Sequence, residues 1–229
     1  MRIDALDHVA LWVADRDELA SFACESLGMH EIERTERFTI VGADARKGKL
    51  TLFADDVERA PGPLARIALR VGDLEKALGE LPRELPVARP EPRFATFTGP
   101  QQLGLGLIEA GGAEYDIDHV TLRVRDSERA LLRLAELGFE GDGQSLRAGA
   151  TGARVLLESG DGGHDGDRSL LNHLGLLVES AEDHVQEARR RGLEIADIVD
   201  AANTYAVFVL GPDRIKLEYV EHKDSFSLV

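Results

Sequence analysis

Histidine occupies the same place in three of four repeated segments of the chain. The segments begin LDHVALWV at Leu6, LARIALRV at Leu64, IDHVTLRV at Ile117 and LNHLGLLV at Leu171. In each, one polar residue stands directly before the first of three alternating apolar residues, and these four residues are His8, Arg66, His119 and His173. Packing alone does not account for three imidazoles at equivalent positions. Imidazole is the commonest side-chain ligand of divalent metals, so the pattern indicates metal chemistry.

The last strand-like segment of each repeat is the source of candidate carboxylate ligands. These segments are LTLFA, LGLGLIE, RVLLES and IKLEYVE, and aligning them places Phe53, Gly106, Glu158 and Glu218 at one position. The alignment of Glu158 depends on its register, because a slip of one residue would send the side chain to the other face of a strand.

The two halves of the chain differ in what they offer a metal. Residues 1–113 provide His8 and Arg66 beside Phe53 and Gly106, a poor set of ligands. Residues 114–229 provide the richer set, which we predict to be the metal site: His119, His173 and Glu218, with Glu158 as a candidate fourth ligand. Imidazole and carboxylate together suit Fe(II), Mn(II), Ni(II) or Zn(II). Three ligands with open positions would suit Fe(II), whereas a second carboxylate would suit Lewis-acid chemistry.

The elements that position these side chains follow from the same repeats. Alternating apolar residues predict a first strand with one buried face, and the metal-site candidates then lie on the opposite face. A helix N-cap residue follows two positions after each strand's last valine, at Asp15, Asp73, Asp126 and Ser180. Three strand-like runs come after each helix, which gives a β-α-β-β-β module. One module cannot bury a helix and a sheet face alone, so we predict an α+β fold of paired modules, divided at the glycine-rich 110–114 into domains 1–113 and 114–229.

Composition narrows the class of protein. The formal net charge of −15 argues against nucleic acid as a partner, since phosphate binding needs clustered Lys and Arg. The sequence has no long apolar run and no recognisable secretory signal, which predicts no membrane association. The single cysteine, Cys24, fits a reducing compartment, so we expect a cytoplasmic location.

Together the first-strand motifs and the GPDRIKLEYVE ending from Gly211 resemble the vicinal oxygen chelate superfamily, which includes glyoxalase I, bleomycin-resistance proteins and type I extradiol dioxygenases. The resemblance implies paired modules that form incomplete barrels around a metal. Four modules in one chain, with the metal in the second pair, look most like the extradiol dioxygenases. In those enzymes the iron ligands come from positions that match His119, His173 and Glu218. A homodimer is a further expectation by analogy with this superfamily.

The same resemblance directs attention to other residues. Extradiol enzymes carry a catalytic tyrosine ten residues before the glutamate ligand, where this chain has Phe208, and Tyr205 is the nearest substitute. Their second-shell histidines have no match, although His164 lies in the acidic, glycine-rich linker 159–167 and is a candidate. Arg123, Lys216 and Phe208 are the candidate substrate-binding residues. Of these, Arg123 and Lys216 should share the metal-facing side. Either could bind a substrate carboxylate or phenolate, or pair with a neighbouring acid such as Glu158.

Three functions remain open from the sequence. The first is an extradiol-type dioxygenase, in which Fe(II) binds a catechol-like small molecule and O₂. The second is a glyoxalase-like lyase or isomerase, in which Glu158 completes a four-ligand site for Ni, Zn or Mn. The third is a ligand-sequestering protein of the bleomycin-resistance type, which needs neither a metal nor chemistry. The bound metal and the position of Glu158 separate these hypotheses.

Overall fold

The computed structural model describes residues 1–112, 114–142, 145–149, 152–161 and 169–228. Module 1 comprises β1 (Ala5–Val13), α1 (Arg16–Ser26), β2 (His30–Arg34), β3 (Phe38–Asp44) and β4 (Lys47–Ala54). Module 2 comprises β5 (Leu64–Val71), α2 (Leu74–Gly79), β6 (Ala88–Glu91), β7 (Phe94–Thr98) and β8 (Gly104–Glu109). Module 3 comprises β9 (Asp116–Val124), α3 (Ser127–Glu136), β10 (Glu140–Asp142), β11 (Ser145–Arg147) and β12 (Arg154–Ser159). Module 4 comprises β13 (Leu171–Leu177), α4 (Ala181–Arg191), β14 (Ile195–Asp200), β15 (Thr204–Leu210) and β16 (Lys216–His222).

Each helix begins where the sequence predicts. The side chains of Asp15, Asp73, Asp126 and Ser180 each accept a hydrogen bond from the backbone N–H three residues later. This contact satisfies one of the N–H groups that the first turn of a helix leaves without a partner. The β-α-β-β-β order of the modules and the α+β fold are therefore confirmed.

The modules form two open sheets of eight strands. The first sheet joins module 1 to module 4 and has the strand order β14-β15-β16-β13-β1-β4-β3-β2. The second sheet joins module 2 to module 3 and has the strand order β10-β11-β12-β9-β5-β8-β7-β6. The junctions are the antiparallel pairs β1–β13 and β5–β9. This pairing differs from the expected grouping of modules within 1–113 and within 114–229. All four first strands carry the same apolar pattern, so that pattern marks the modules but not their partners.

The helix-facing side of each sheet forms the core. Val9, Leu11 and Val13 of β1 are fully buried, and the buried apolar residues of both sheets form one cluster. Two tyrosine hydroxyls tie the sheets together: Tyr115 donates to the carbonyl of Leu27 at 2.6 Å, and Tyr219 donates to that of Leu137 at 2.7 Å. The opposite face of each sheet is left for polar side chains. None of the helices in the described residues is long and apolar enough to span a bilayer.

Candidate metal centre

Three metal-ligating side chains converge on the open face of the first sheet. His8 lies on β1, His173 on β13 and Glu218 on β16, and each is at most 9% exposed. The two Nε2 atoms are 2.9 Å apart, and Glu218 Oε2 lies 3.1 Å from Nε2 of His8 and 3.0 Å from Nε2 of His173. Among the described residues, this is the one group of three or more His, Cys, Asp or Glu side chains that could hold a metal ion.

The residue before each histidine fixes the orientation of its ring. The β1–β13 pairing shifts register at Asp7 and again at Asn172, so each of these residues occupies a β-bulge. A bulge turns an additional side chain toward the face of its neighbour. Asp7 Oδ2 lies 2.7 Å from Nδ1 of His8, and Asn172 Oδ1 lies 3.1 Å from Nδ1 of His173.

These contacts define the tautomer of each imidazole. A carboxylate oxygen and an amide oxygen only accept hydrogen bonds, so Nδ1 of each ring is the donor. In a neutral imidazole the lone pair is then on Nε2, the atom that faces the cluster. Partners on the second nitrogen of metal-bound histidines serve the same purpose, since they hold both the ring and its tautomer.

Gly175 provides the space that the His8 ring occupies. It pairs with His8 across the sheet and with Glu218 on its other side. A Cβ atom at this position would lie 2.3 Å from both Cε1 and Nδ1 of His8 and 2.8 Å from its Nε2. Glycine is therefore required here for close approach, because a side chain would displace the ring.

A buried ionic network supports the site from behind His8. Asp7 Oδ1 accepts from Lys49 Nζ at 2.7 Å and lies 3.1 Å from His222 Nε2. Burial alone would raise the pKa of Asp7, but Lys49, His222 and His8 hold it well below its usual range. Asp7 is therefore a permanent carboxylate at its contact with His8.

The charges of the three convergent groups are strongly coupled. Burial alone would lower the pKa of His8, but the carboxylates of Asp7 and Glu218 raise it to about 9. The pKa of His173 is lowered, chiefly by burial, with the charge of His8 acting in the same direction against the pull of Glu218. Burial would raise the pKa of Glu218, but the two imidazoles lower it well below its usual range. Without a metal, the raised pKa keeps His8 protonated at neutral pH, and its charge lies between the carboxylates of Asp7 and Glu218.

The donor set fits a divalent metal. Glu218 Oε2 is buried and makes no hydrogen bond of normal geometry within the described residues, although both Nε2 atoms lie about 3 Å away. Adjacent donors in octahedral coordination lie about 3.0 Å apart when the metal–ligand bonds are about 2.1 Å, whereas tetrahedral donors lie about 3.4 Å apart. The observed triangle of 2.9, 3.0 and 3.1 Å matches one face of an octahedron.

Aromatic rings surround the three donors. The ring of Phe208 meets His173 edge-on, with centroids 5.1 Å apart, and Phe53 lies 6.3 Å from His173. Phe53 in turn contacts Trp12 at 5.4 Å and Phe38 at 5.8 Å. These four rings are only partly buried, so they offer a planar, apolar substrate a contact surface next to the cluster.

His119 does not join His173 and Glu218, in contrast to the predicted set. It lies on β9 in the second sheet, where its Nδ1 donates to Asp118 at 2.8 Å. His8 takes its place in the cluster. The cause is the pairing of module 1 with module 4, which brings together the two ends of the chain.

Glu158 is also remote from the cluster, and its predicted alignment was wrong by two residues. Glu218 pairs with Gly175, two residues after His173, and the equivalent residues of the other closing strands are Thr51, Gly106 and Leu156. Glu158 pairs instead with Arg123, and their side chains form an ion pair of 2.8 Å that is about 40% exposed. A shift of two residues preserves the face of a strand, so alternation could not reveal it. Phe53 is displaced in the same way.

The other sequence candidates are distributed as follows. Lys216 donates to Asn172 Oδ1 at 3.3 Å, which places it at the edge of the cluster, and Phe208 is cross-strand from Glu218. Tyr205 donates to Glu182 of α4 at 3.0 Å, so it lies on the helix side of the sheet and away from the cluster. His164 lies outside the described residues. The network residues Asp7, Lys49 and His222 were not predicted, although the Asp or Asn before each histidine was visible in the sequence.

Comparison with known proteins supports the fold. Residues 5–99 match the family model of the Glyoxalase/Bleomycin resistance protein/Dioxygenase superfamily. A putative dioxygenase from Bacillus subtilis has a similar structure, with 15% identity, a TM-score of 0.76 and coverage of 96% of this chain and 86% of that one. Glyoxalase I from Zea mays is similar with 16% identity, a TM-score of 0.75 and coverage of 95% and 92%. No curated protein is significantly similar in sequence.

The predicted resemblance is thereby confirmed: the chain has the vicinal oxygen chelate fold of this superfamily. At these identities the structural likeness concerns the fold alone. Both relatives extend over nearly the whole chain, so the four-module architecture is common to a dioxygenase-type and a glyoxalase-type protein. The activity must therefore be inferred from the side chains of the site.

Proposed function

We propose that this protein is a metal-dependent enzyme of the extradiol dioxygenase type, in which His8, His173 and Glu218 hold Fe(II) and the substrate is a catechol-like aromatic with two adjacent oxygens. The observation that carries the proposal is the number of ligands. Two imidazoles and one carboxylate converge, and the fourth equivalent position is occupied by Thr51, which brings no carboxylate. Two histidines and one carboxylate with open positions form the ligand set of non-haem Fe(II) oxygenases.

The bound metal would supply the chelation of two adjacent substrate oxygens and the redox chemistry with O₂. The chain contributes the orientation of the ligands: Asp7 and Asn172 hold the two imidazoles, and Glu218 supplies one negative charge to offset the charge of the cation. The aromatic rings of Trp12 and Phe53 beside the cluster would contact the ring of the substrate and exclude water.

A glyoxalase-like activity is supported less well. That hypothesis requires a second carboxylate among the metal ligands, and Glu158 lies in the other sheet in an exposed ion pair with Arg123. Thr51 stands where the second carboxylate would be expected. Among the described residues, the site therefore offers no second carboxylate to remove a proton next to a carbonyl group.

A ligand-sequestering protein is the second candidate, and one residue favours it. Phe208 faces the cluster at the place where extradiol enzymes carry a catalytic tyrosine, so this position cannot exchange a proton with the substrate. Proton transfer by a positioned side chain typically contributes about 10²- to 10⁴-fold to a rate. A sequestering protein needs no metal, so metal content separates the two candidates.

The test is to purify the protein without oxygen and to measure bound metal in wild type, His8→Ala and His119→Ala. The two variants are matched because both residues precede the same apolar pattern in their repeats and both donate Nδ1 to an adjacent aspartate. We expect roughly one iron per chain in wild type and in His119→Ala, and almost none in His8→Ala. Catechol cleavage should follow the same order.

Other outcomes would overturn parts of the proposal. Loss of metal in His119→Ala with retention in His8→Ala would refute the assignment of the ligands. Stoichiometric nickel, zinc or manganese would move the proposal to glyoxalase-like chemistry. If the wild-type protein bound no metal even when metal was supplied, the ligand-sequestering function would be the remaining hypothesis.

A further inference from the structure

The second sheet has an open face of its own, which carries Arg66, His119 and Thr121 and holds no triad of metal ligands among its described residues. Arg66 occupies the position in its module that His8, His119 and His173 occupy in theirs. Its guanidinium group lies 5.6 Å from the centroid of the Phe94 ring and pairs with no carboxylate in the described part of the chain.

Three other arginines of this face are paired with carboxylates. Arg70 lies 3.4 Å from Asp118, Arg154 lies 2.7 Å from the same carboxylate, and Arg123 pairs with Glu158. The available acids are therefore placed away from Arg66.

A cavity opens beside the Arg66 side chain. It has a volume of about 400 Å³ and is lined by Arg66, Val87, Ala88, Thr96, Thr98 and Gly104, with Arg66 as the only charged residue among its described lining. Its volume lies within the range of small-molecule sites, about 300–1,000 Å³, and its lining combines apolar side chains with the polar groups of Arg66, Thr96 and Thr98.

Two glycines of β8 keep this face open. A Cβ atom at Gly106 would lie 3.1 Å from Cδ of Arg66 and 2.8 Å from Cε2 of Phe94. At Gly104 it would lie 2.2 Å from the carbonyl oxygen of Ala65. Their neighbours Leu105 and Leu107 are buried in the core, so the absence of side chains is confined to the open face of the strand.

An unsatisfied hydroxyl lies next to the arginine. Thr121 is the cross-strand partner of Arg66, is only 5% exposed, and its Oγ1 is buried without a hydrogen-bond partner among the described residues. It alternates with the core residues Val120 and Leu122, so its side chain is on the same face as Arg66. A buried hydroxyl without a partner costs free energy, and Thr121 lies beside Arg66 but outside the lining of the cavity.

We propose that this face is a second, metal-independent ligand site, which binds a small organic carboxylate with an apolar or aromatic body. Arg66 binds the carboxylate, since the guanidinium fork matches its geometry. The hydroxyls of Thr96 and Thr98 are available to the ligand from the cavity wall, and Val87 contacts its apolar part. The site is distinct from the cluster of His8, His173 and Glu218, because it lies on the second sheet and is lined by residues of module 2.

The test uses benzoate as the probe and benzamide as its neutral counterpart, with binding measured by titration calorimetry on the full chain. A metal chelator is present, so that a metal in the first sheet cannot bind the carboxylate. The variants are Arg66→Met, which keeps length without charge, and Arg70→Met, a control on the same strand and face whose arginine pairs with Asp118.

We expect benzoate to bind wild type and Arg70→Met, and Arg66→Met to lose at least about tenfold in affinity, as for a charge-assisted hydrogen bond. Benzamide should bind at least about tenfold more weakly than benzoate to wild type. A second variant, Ala88→Trp, fills the cavity while keeping Arg66, and should also weaken binding. Equal affinities for benzoate and benzamide, no binding to wild type, or an unchanged affinity in Arg66→Met would each overturn the proposal.

Discussion

Gly175→Ala adds a single methyl group directly above the His8 ring. The new Cβ atom would lie 2.3 Å from Cε1 and Nδ1 of His8, whereas nonbonded carbon atoms pack best at about 3.5–4.0 Å. The ring must therefore withdraw by more than about 1 Å. That movement would separate Nδ1 from Asp7, now 2.7 Å away, or open the 3 Å triangle of donors.

Both consequences weaken the metal site. Loss of a partner that orients a metal ligand typically costs about 10- to 100-fold in metal affinity, which corresponds to about 1.4–2.7 kcal/mol. The metal-free protein should also lose about 1–3 kcal/mol of stability from overpacking. An unstrained Gly→Ala substitution would instead gain about 0.4–1 kcal/mol, so the sign of the change is informative.

The assays are competition with a chromophoric chelator for metal affinity and urea denaturation for stability. Gly72→Ala is the control, because a Cβ atom at Gly72 would meet nothing within 4 Å. If Gly175→Ala bound metal as well as wild type and were as stable as Gly72→Ala, the His8 ring could not occupy the described position, and the metal centre would have to be reconsidered.

Three further predictions concern residues around the two open faces. Glu158→Gln will leave metal content unchanged in elemental analysis, because the carboxylate is remote from the cluster, and loss of metal would restore Glu158 as a ligand. Phe208→Tyr will raise the rate of catechol cleavage by at least about tenfold in a steady-state assay, and an unchanged rate at full iron content would count against extradiol chemistry. Burial alone would raise the pKa of Asp118, but His119 and Arg154 hold it well below its usual range. Its charge thus stabilises the fold above about pH 4, and this contribution is lost as the pH falls. Asp118→Asn will therefore lower the free energy of unfolding by about 1–3 kcal/mol at pH 7, and by less at pH 3, as measured by urea denaturation. An equal cost at both pH values would contradict this assignment of charge.

The modules were predictable because their signals are local. Alternation in LDHVALWV and the N-cap at Asp15 act within one strand and one turn, and the structure has both. The face of each polar side chain follows from the same alternation, so His8, His173 and Glu218 were correctly placed on the side away from the helices. Their mutual proximity depends on which modules pair, and four similar first strands are compatible with more than one arrangement.

The finer geometry was less accessible for two physical reasons. A shift of two residues keeps every side chain of a strand on its face, so sequence alternation could not distinguish Leu156 from Glu158 as the equivalent of Glu218. A bulge has the opposite effect, because it brings Asp7 to the side of His8, whereas strict alternation would direct it away. The recurrence of Asp or Asn before each histidine was the available signal for this support.

The pairing of modules 1 and 4 has a consequence for how the site forms. His8 and Glu218 lie near opposite ends of the sequence, and they meet only when β1 pairs with β13 and β13 with β16. The donor set therefore does not exist in either half of the chain alone. A ligand that binds only the folded state stabilises it by mass action. A metal at this centre would accordingly stabilise the junction between module 1 and module 4 in the first sheet. The second sheet would gain less stability, because its own junction, β5–β9, contains no such cluster among the described residues.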